Sequence, residues 1–154
     1  MPDQLDDLYR DIIMDHFRSP RGQKKLTKVD VRNEGQNPVC GDHISVALKV
    51  EDNHIEDIAV ECMGCAISVA SGSMLADVIK GKSLDDVRHY AEAIRAILKG
   101  EEAPDGIDIG DLEALAGVRK FPVRIKCALL SWTTLIDALE SLAVGKDAKI
   151  STTE

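Results

Sequence analysis

Ile44, Val46, Leu48 and Val50 recur at strict period 2, Asp52-Asn53 interrupts the run, and Ile58, Val60 and Cys62 resume it. Successive strand residues point to opposite faces, so this pattern predicts an antiparallel hairpin with one buried face. Just after Cys65 the apolar period becomes 3.6, through Ile67, Ala70, Met74, Val78 and Ile79, which is the spacing of a helix. A shorter Val29/Val31 alternation precedes the hairpin and adds a strand. The expected fold class is therefore α+β, a three-stranded antiparallel sheet with helices packed on one face. The other face would carry Ser45, Lys49, Asp57 and Glu61.

Helix boundaries can be read on either side of this core. Leu5, Leu8, Ile12, Ile13 and Phe17 give an amphipathic stripe over about 3–18, stopped by Ser19-Pro20 and Gly22. The helix after Cys65 ends at Lys80-Gly81, where glycine supplies a left-handed cap. Ser83 with Asp86 three residues on resembles a capping box for a further helix striped by Val87, Ala91, Ile94 and Leu98. Residues 101–121 read as a polar, glycine-bearing excursion with a short helix at 111–115, and Pro122 opens a last helix carrying Cys127, Leu130, Leu135 and Leu139. This gives one domain over 1–145 and a loosely held tail over 146–154.

At 154 residues, roughly 68 to 70% of the unfolded surface can be buried, enough to fold without crosslinks. No apolar run approaches the roughly 20 residues that span a bilayer, so no membrane role is expected. Asp3, Asp6 and Asp7 precede the first base, Arg10, the reverse of a secretory signal. A cytoplasmic setting, in which thiols stay reduced, is the expectation. The net charge of −8 and pI near 5.0 argue against nucleic acid as a partner, because phosphate neutralisation needs a basic surface.

Chemistry is concentrated in four residues. Cys40 and Asp42 flank Gly41, Cys65 closes Cys62-Met63-Gly64-Cys65, and Cys127 lies near Arg119, Lys120, Arg124 and Lys126 in a stretch without acids. Glycine tolerates positive φ, so the Gly41 turn can aim two side chains at one centre. The Cys62/Cys65 pair admits three readings: a zinc-ligand pair, a thioredoxin-like redox pair, or one functional thiol beside a buried one. Cys62 continues the Ile58/Val60 face, as a small core residue would, whereas Cys65 falls at the strand-to-helix turn. Taken together, Cys40, Asp42, Cys65 and Cys127 read as one soft metal or sulfur site suited to tetrahedral zinc or to cluster iron. His16, His43, His54 and His89 are scattered over different elements.

Four runs carry a resemblance: Leu8-Tyr9 through Met14-Asp15-His16, Asn37-Pro38-Val39-Cys40-Gly41-Asp42, Gly64-Cys65-Ala66-Ile67-Ser68 and Phe121-Pro122-Val123-Arg124-Ile125-Lys126-Cys127. The chain resembles the U-type iron-sulfur cluster assembly family (SufU, IscU and the NifU N-terminal domain) over nearly its whole length. The resemblance implies that Cys40, Asp42, Cys65 and Cys127 are metal ligands. It further implies a pyridoxal-phosphate cysteine desulfurase, SufS-like, as the sulfur-donating partner, and downstream iron-sulfur assembly proteins as recipients. Scaffolds of the IscU type carry histidine before the third cysteine and a double proline upstream; here the positions hold Lys126 and Phe121-Pro122. With the 101–121 insertion, the resemblance is to the zinc-dependent SufU branch.

That branch implies a Zn2+ cofactor and a sulfurtransferase role in which the desulfurase displaces Cys40 from the metal and Cys40 attacks the persulfide. The alternative within the family is a scaffold binding iron as a [2Fe-2S] cluster. The alternative from another class is a thioredoxin-like thiol oxidoreductase using Cys62 and Cys65.

Overall fold

A computed structural model describes residues 4–102, 108–144 and 151–152. In chain order they form α1 (Gln4–Arg18), β1 (Val31–Asn37), β2 (Asp42–Glu51), β3 (His54–Met63), α2 (Ala66–Ile79), α3 (Leu84–Leu98), a 3-10 helix η1 (Gly110–Lys120), α4 (Pro122–Val144) and β4 (Ser151–Thr152). The sheet order is β3-β2-β1-β4, with the first three strands antiparallel as expected. β4 adds a two-residue parallel pairing against Gly35 and Gln36. The remainder of the tail expected over 146–154 lies outside the described residues.

The β2–β3 hairpin turns at Asp52 and Asn53, both at positive φ, the backbone that a two-residue type I′ turn requires. Ile44, Val46, Leu48, Ile58 and Val60 face the helices and are buried, while His43, Glu61 and Met63 are exposed on the opposite face. α2 and α4 cover the packed face, and α1 and η1 pack on α2. α2 is buried nearly throughout, serines included. Ser71 Oγ donates to the Ala128 carbonyl at 2.6 Å and shares a hydrogen bond with Ser131, which ties α2 to the turn of α4 that carries Cys127.

The outer edge of β3 is occupied by other segments. Val60 N donates to the Gly22 carbonyl at 2.8 Å, Ile55 N to Lys82 and Gly81 N to Ile55. Gly81 stands at φ +84, and Ser83 Oγ accepts from Asp86 N at 3.1 Å, so both the α2 stop and the α3 start form as read from the sequence. Among the described residues no helix is long and apolar enough to cross a membrane.

Two local expectations change. The buried side of α1 is Tyr9, Ile13 and His16, while Leu8 and Phe17 are exposed; the Leu5 side chain lies outside the described ones. His16 takes a core position because Ser73 Oγ lies 2.7 Å from Nδ1 and Asp111 Oδ2 lies 3.1 Å from Nε2. The first strand begins at Val31 and runs through polar residues to Asn37, rather than centring on Val29.

Candidate metal centre

Four local structures bring the candidate residues to one end of the sheet. Residues 38–41 form the loop between β1 and β2, with Gly41 at φ +75 and its N–H bonded to the Asn37 carbonyl at 2.9 Å. Cys40 sits half-buried on this loop, and Asp42, buried, opens β2 opposite Asn37. Cys65 is the N-cap of α2, and Cys127 is buried in the second turn of α4.

One ligand atom from each of Cys40, Asp42 and Cys127 lies within 4.8 Å of the others. Cys65 stands beside them, its Sγ 3.9 Å from Asp42 Oδ2. Ligands at about 2.0 to 2.3 Å from a tetrahedral zinc lie roughly 3.3 to 3.8 Å apart, so a small contraction would enclose an ion. All four cysteines are free thiols. None of the four histidines joins the group among the described residues.

Among the described residues Asp42 is held by hydrogen bonding, with no ion pair to a base. α2 has no side-chain cap of its own at Cys65, and Asp42 Oδ1 accepts the Cys65 N–H at 2.9 Å, at the positive end of the helix. Gly64 makes this approach possible, since a Cβ there would overlap the Asp42 carboxylate and come within 2.8 Å of Ser68 Oγ. Ser68 Oγ donates to the Cys65 carbonyl at 3.0 Å and lies 3.7 Å from Cys65 Sγ. Asn37 Nδ2 donates to Cys127 Sγ at 3.7 Å, and Asn37 Oδ1 accepts from Val39 N at 3.3 Å. Asn37, Gly64 and Ser68 belong to the quoted sequence runs, yet their supporting roles emerge only when the strand end and the helix start are seen side by side.

The electrostatics favour a cation at the centre. Burial pushes the Cys127 thiol well above its ordinary range, and bonding to Asp42 and Cys40 pushes it further. Arg124, on the solvent side, is held above its usual value by its hydrogen bond to Cys127 and by the charges of Cys65 and Cys127. Thiolates and a carboxylate packed this closely repel one another, and a bound cation is what lets them ionise together. The donor set therefore fits a soft divalent ion.

Cys62 stands apart from this group, on β3 opposite Ile44, with its thiol pushed up to about 11 by burial. The thioredoxin-like reading calls for a parallel sheet, whereas the three main strands here are antiparallel.

Residues 8–128 match the model of the NifU-like N-terminal domain. The chain is 44% identical over 131 residues to a zinc-dependent sulfurtransferase SufU of Bacillus subtilis, covering 85% of this chain and 88% of that protein. It is 39% identical over 140 residues to an iron-sulfur cluster assembly scaffold protein IscU of Streptococcus pyogenes, covering 91% and 87%. In structure it is similar to the N-terminal part of a nitrogen-fixing NifU-like protein from Brucella abortus, with a TM-score of 0.82 at 25% identity, covering 92% of this chain and 99% of that one.

Proposed function

This chain belongs to the NifU-like N-terminal domain family, and from that premise we propose that it serves iron-sulfur cluster biogenesis as a zinc-dependent sulfur acceptor. In this role Cys40 takes persulfide sulfur from a cysteine desulfurase of the SufS-like kind. The observation that carries the reading is the meeting of Cys40, Asp42 and Cys127 within 4.8 Å, with Cys65 Sγ 3.9 Å from Asp42. Cys40, Asp42, Cys65 and Cys127 would hold the ion. When bound, zinc supplies the positive charge that keeps these thiols deprotonated near neutral pH.

The division of labour follows from what anchors each sulfur. Cys65 and Cys127 are fixed by helices that are latched together through Ser71 and Ala128. Cys40 rides on the short 38–41 loop that turns at Gly41 instead of on a helix, so in this reading it is the thiol that moves. Its thiolate attacks the outer sulfur of the desulfurase persulfide, the sulfur-sulfur bond breaks, and the desulfurase thiolate leaves. Cys40 then carries the transferred sulfur for downstream assembly proteins.

A partner surface surrounds these residues. Val39, Met63, Phe121 and Val123 are all exposed, each close in sequence to a site cysteine, and Arg119, Lys120, Arg124 and Lys126 add positive charge. An apolar rim with bases suits a partner presenting apolar and acidic groups. A cytoplasmic setting, in which thiols stay reduced, is part of this proposed reading.

The second reading is a scaffold for a [2Fe-2S] cluster, favoured by the similarity to an IscU scaffold of Streptococcus pyogenes and by a cysteine-rich donor set. Lys126 beside Cys127 weighs for zinc, because an ammonium must lose its proton before it can bind a metal. The test is metal analysis of freshly purified protein, followed by mass spectrometry of Cys40 after exposure to a desulfurase and cysteine. Zinc together with an added sulfur on Cys40 is expected. A transferable cluster formed on anaerobic incubation with iron and sulfide, with zinc expelled, would replace this reading by the scaffold.

A further inference from the structure

Asn37 ends β1 and is only 1% exposed, although taking a carboxamide out of water is costly unless its groups are bonded. Its bonds go to the site. Oδ1 accepts the Val39 N–H at 3.3 Å, Nδ2 donates to Cys127 Sγ at 3.7 Å, and the backbone carbonyl accepts the Gly41 N–H at 2.9 Å. Only an oxygen can accept from Val39, which turns the NH2 group toward the sulfur. The sulfur can accept this bond with or without its own proton.

The loop that carries Cys40 is built around this residue. Within residues 38–41, Pro38 has no N–H, and two of the three remaining backbone N–H groups, those of Val39 and Gly41, end on Asn37. Pro38 also restricts Asn37 to extended backbone, which suits its place in β1 opposite Asp42. One residue thus closes the loop on both sides of Cys40 and fastens it to a sulfur on α4.

We propose that Asn37 is a positioning residue for sulfur acceptance: it holds the turn from Val39 to Gly41 so that Cys40 meets the donor from one fixed place, tied to Cys127. This inference rests on the proposed role of Cys40 as sulfur acceptor. Being buried, Asn37 acts through Cys40. In the transfer, a bond forms between Cys40 Sγ and the outer sulfur of the donor persulfide while the sulfur-sulfur bond breaks, and its electron pair leaves with the donor thiolate. The attacking atom must be aligned with the bond that breaks, and a misplacement of about 1 Å can cost about 100-fold in rate. Loss of the carboxamide should therefore lower kcat far more than it raises KM.

The experiment compares the full-length parent with Asn37→Ala and Asn37→Ser. Alanine removes both side-chain bonds. Serine can still accept from the Val39 N–H, as hydroxyls do in such turns, but is too short to reach Cys127. Amide hydrogen exchange is followed by NMR on metal-free, reduced protein, and sulfur uptake on Cys40 by mass spectrometry on zinc-loaded protein at graded concentrations of a cysteine desulfurase with cysteine. In Asn37→Ala, exchange at Gly41 should quicken about 10-fold, as loss of about one net hydrogen bond allows, while amides of β2 and α2 change far less. The kcat for uptake should fall about 10 to 100-fold at a KM within about threefold of the parent, and Asn37→Ser should recover part of both losses. Parent-like exchange at Gly41, a loss of protection shared equally by β2 and α2, or a raised KM at unchanged kcat would overturn the proposal. Should Asn37→Ala not fold, Asn37→Ser decides by the same readouts. Equal uptake by all three proteins defeats this inference alone. No sulfur on Cys40 even in the parent defeats the proposed function and with it this role.

Discussion

Asp42 has two jobs that substitution can separate. Its Oδ1 accepts the Cys65 N–H at 2.9 Å from a buried position, and its carboxylate lies among the thiols of the proposed site. Asp42→Ala removes both functions. A buried donor left without a partner costs about 1 to 3 kcal/mol, and for a domain of this length each 1 kcal/mol moves Tm by about 2 to 4 °C. Chelator-treated Asp42→Ala should therefore melt about 2 to 12 °C below the parent. Asp42→Asn keeps an oxygen in place for that N–H and removes a buried charge, so its metal-free form should melt close to the parent or above it. Both variants lose the charged ligand of the proposed site, so on that reading metal retention should fall by no less than the about 10 to 100-fold seen when a supporting partner of a ligand is lost. Thermal melts in chelator, with a competition assay for zinc, give the two readouts. Equal melts for the two metal-free variants would refute the capping role, and parent-like zinc retention in Asp42→Asn would remove the carboxylate from the ligand set.

Other perturbations probe the surroundings. Gly41→Ala places a side chain at φ +75 and should cost about 1 to 2 kcal/mol, with slower sulfur uptake by Cys40; an unchanged rate and melt would show that the loop does not need this backbone. His16→Ala deletes a buried ring bonded to Ser73 and Asp111 and should cost about 2 to 4 kcal/mol from lost bonds and the cavity, read as a lower urea midpoint at constant slope. Asp57 is partly covered, which alone would raise its pKa, yet its hydrogen bond to Lys24 at 2.7 Å and the Lys80 charge hold it below the ordinary value. A depressed carboxylate stabilises the fold above its unfolded pKa of about 3.9, and that contribution fades as pH falls through the lower folded value. Asp57→Asn should thus lose about 0.2 to 1 kcal/mol near pH 7 and match the parent at strongly acid pH; a gap that persists there would point to packing instead.

The hairpin was legible in the sequence because burial of one face imposes period 2, and α2 because the period changes at Cys65. β1 was nearly silent for a physical reason. Its inward positions are Asn33, Gly35 and Asn37, since α4 approaches too closely for large side chains: a Cβ at Gly35 would overlap Thr134 Oγ1, and Asn33 Nδ2 donates to the Thr134 carbonyl at 3.0 Å. Such a strand is specified by its neighbour. η1 extends beyond the short helix expected at 111–115 to Gly110–Lys120, because Leu112, Ala114, Leu115 and Val118 are buried within an otherwise polar segment. His16 gave no signal of its core position, which depends on partners 57 and 95 residues away. The four candidate site residues stood out by type, and Cys40, Asp42 and Cys65 also by an adjoining glycine; the folded chain brings Cys40, Asp42 and Cys127 together with Cys65 alongside.

The margins of the sheet carry one more consequence. Gly22, Lys82 and Gly81 take up hydrogen-bonding groups of β3, and Ser151–Thr152 line the far side of β1. A bare strand margin is a template on which another copy of the chain can polymerise. With each margin covered in part, at Ile55 and Val60 of β3 and at Gly35 and Gln36 of β1, the sheet offers a shorter template to another copy, and the exposed apolar groups near the cysteines are left to a partner.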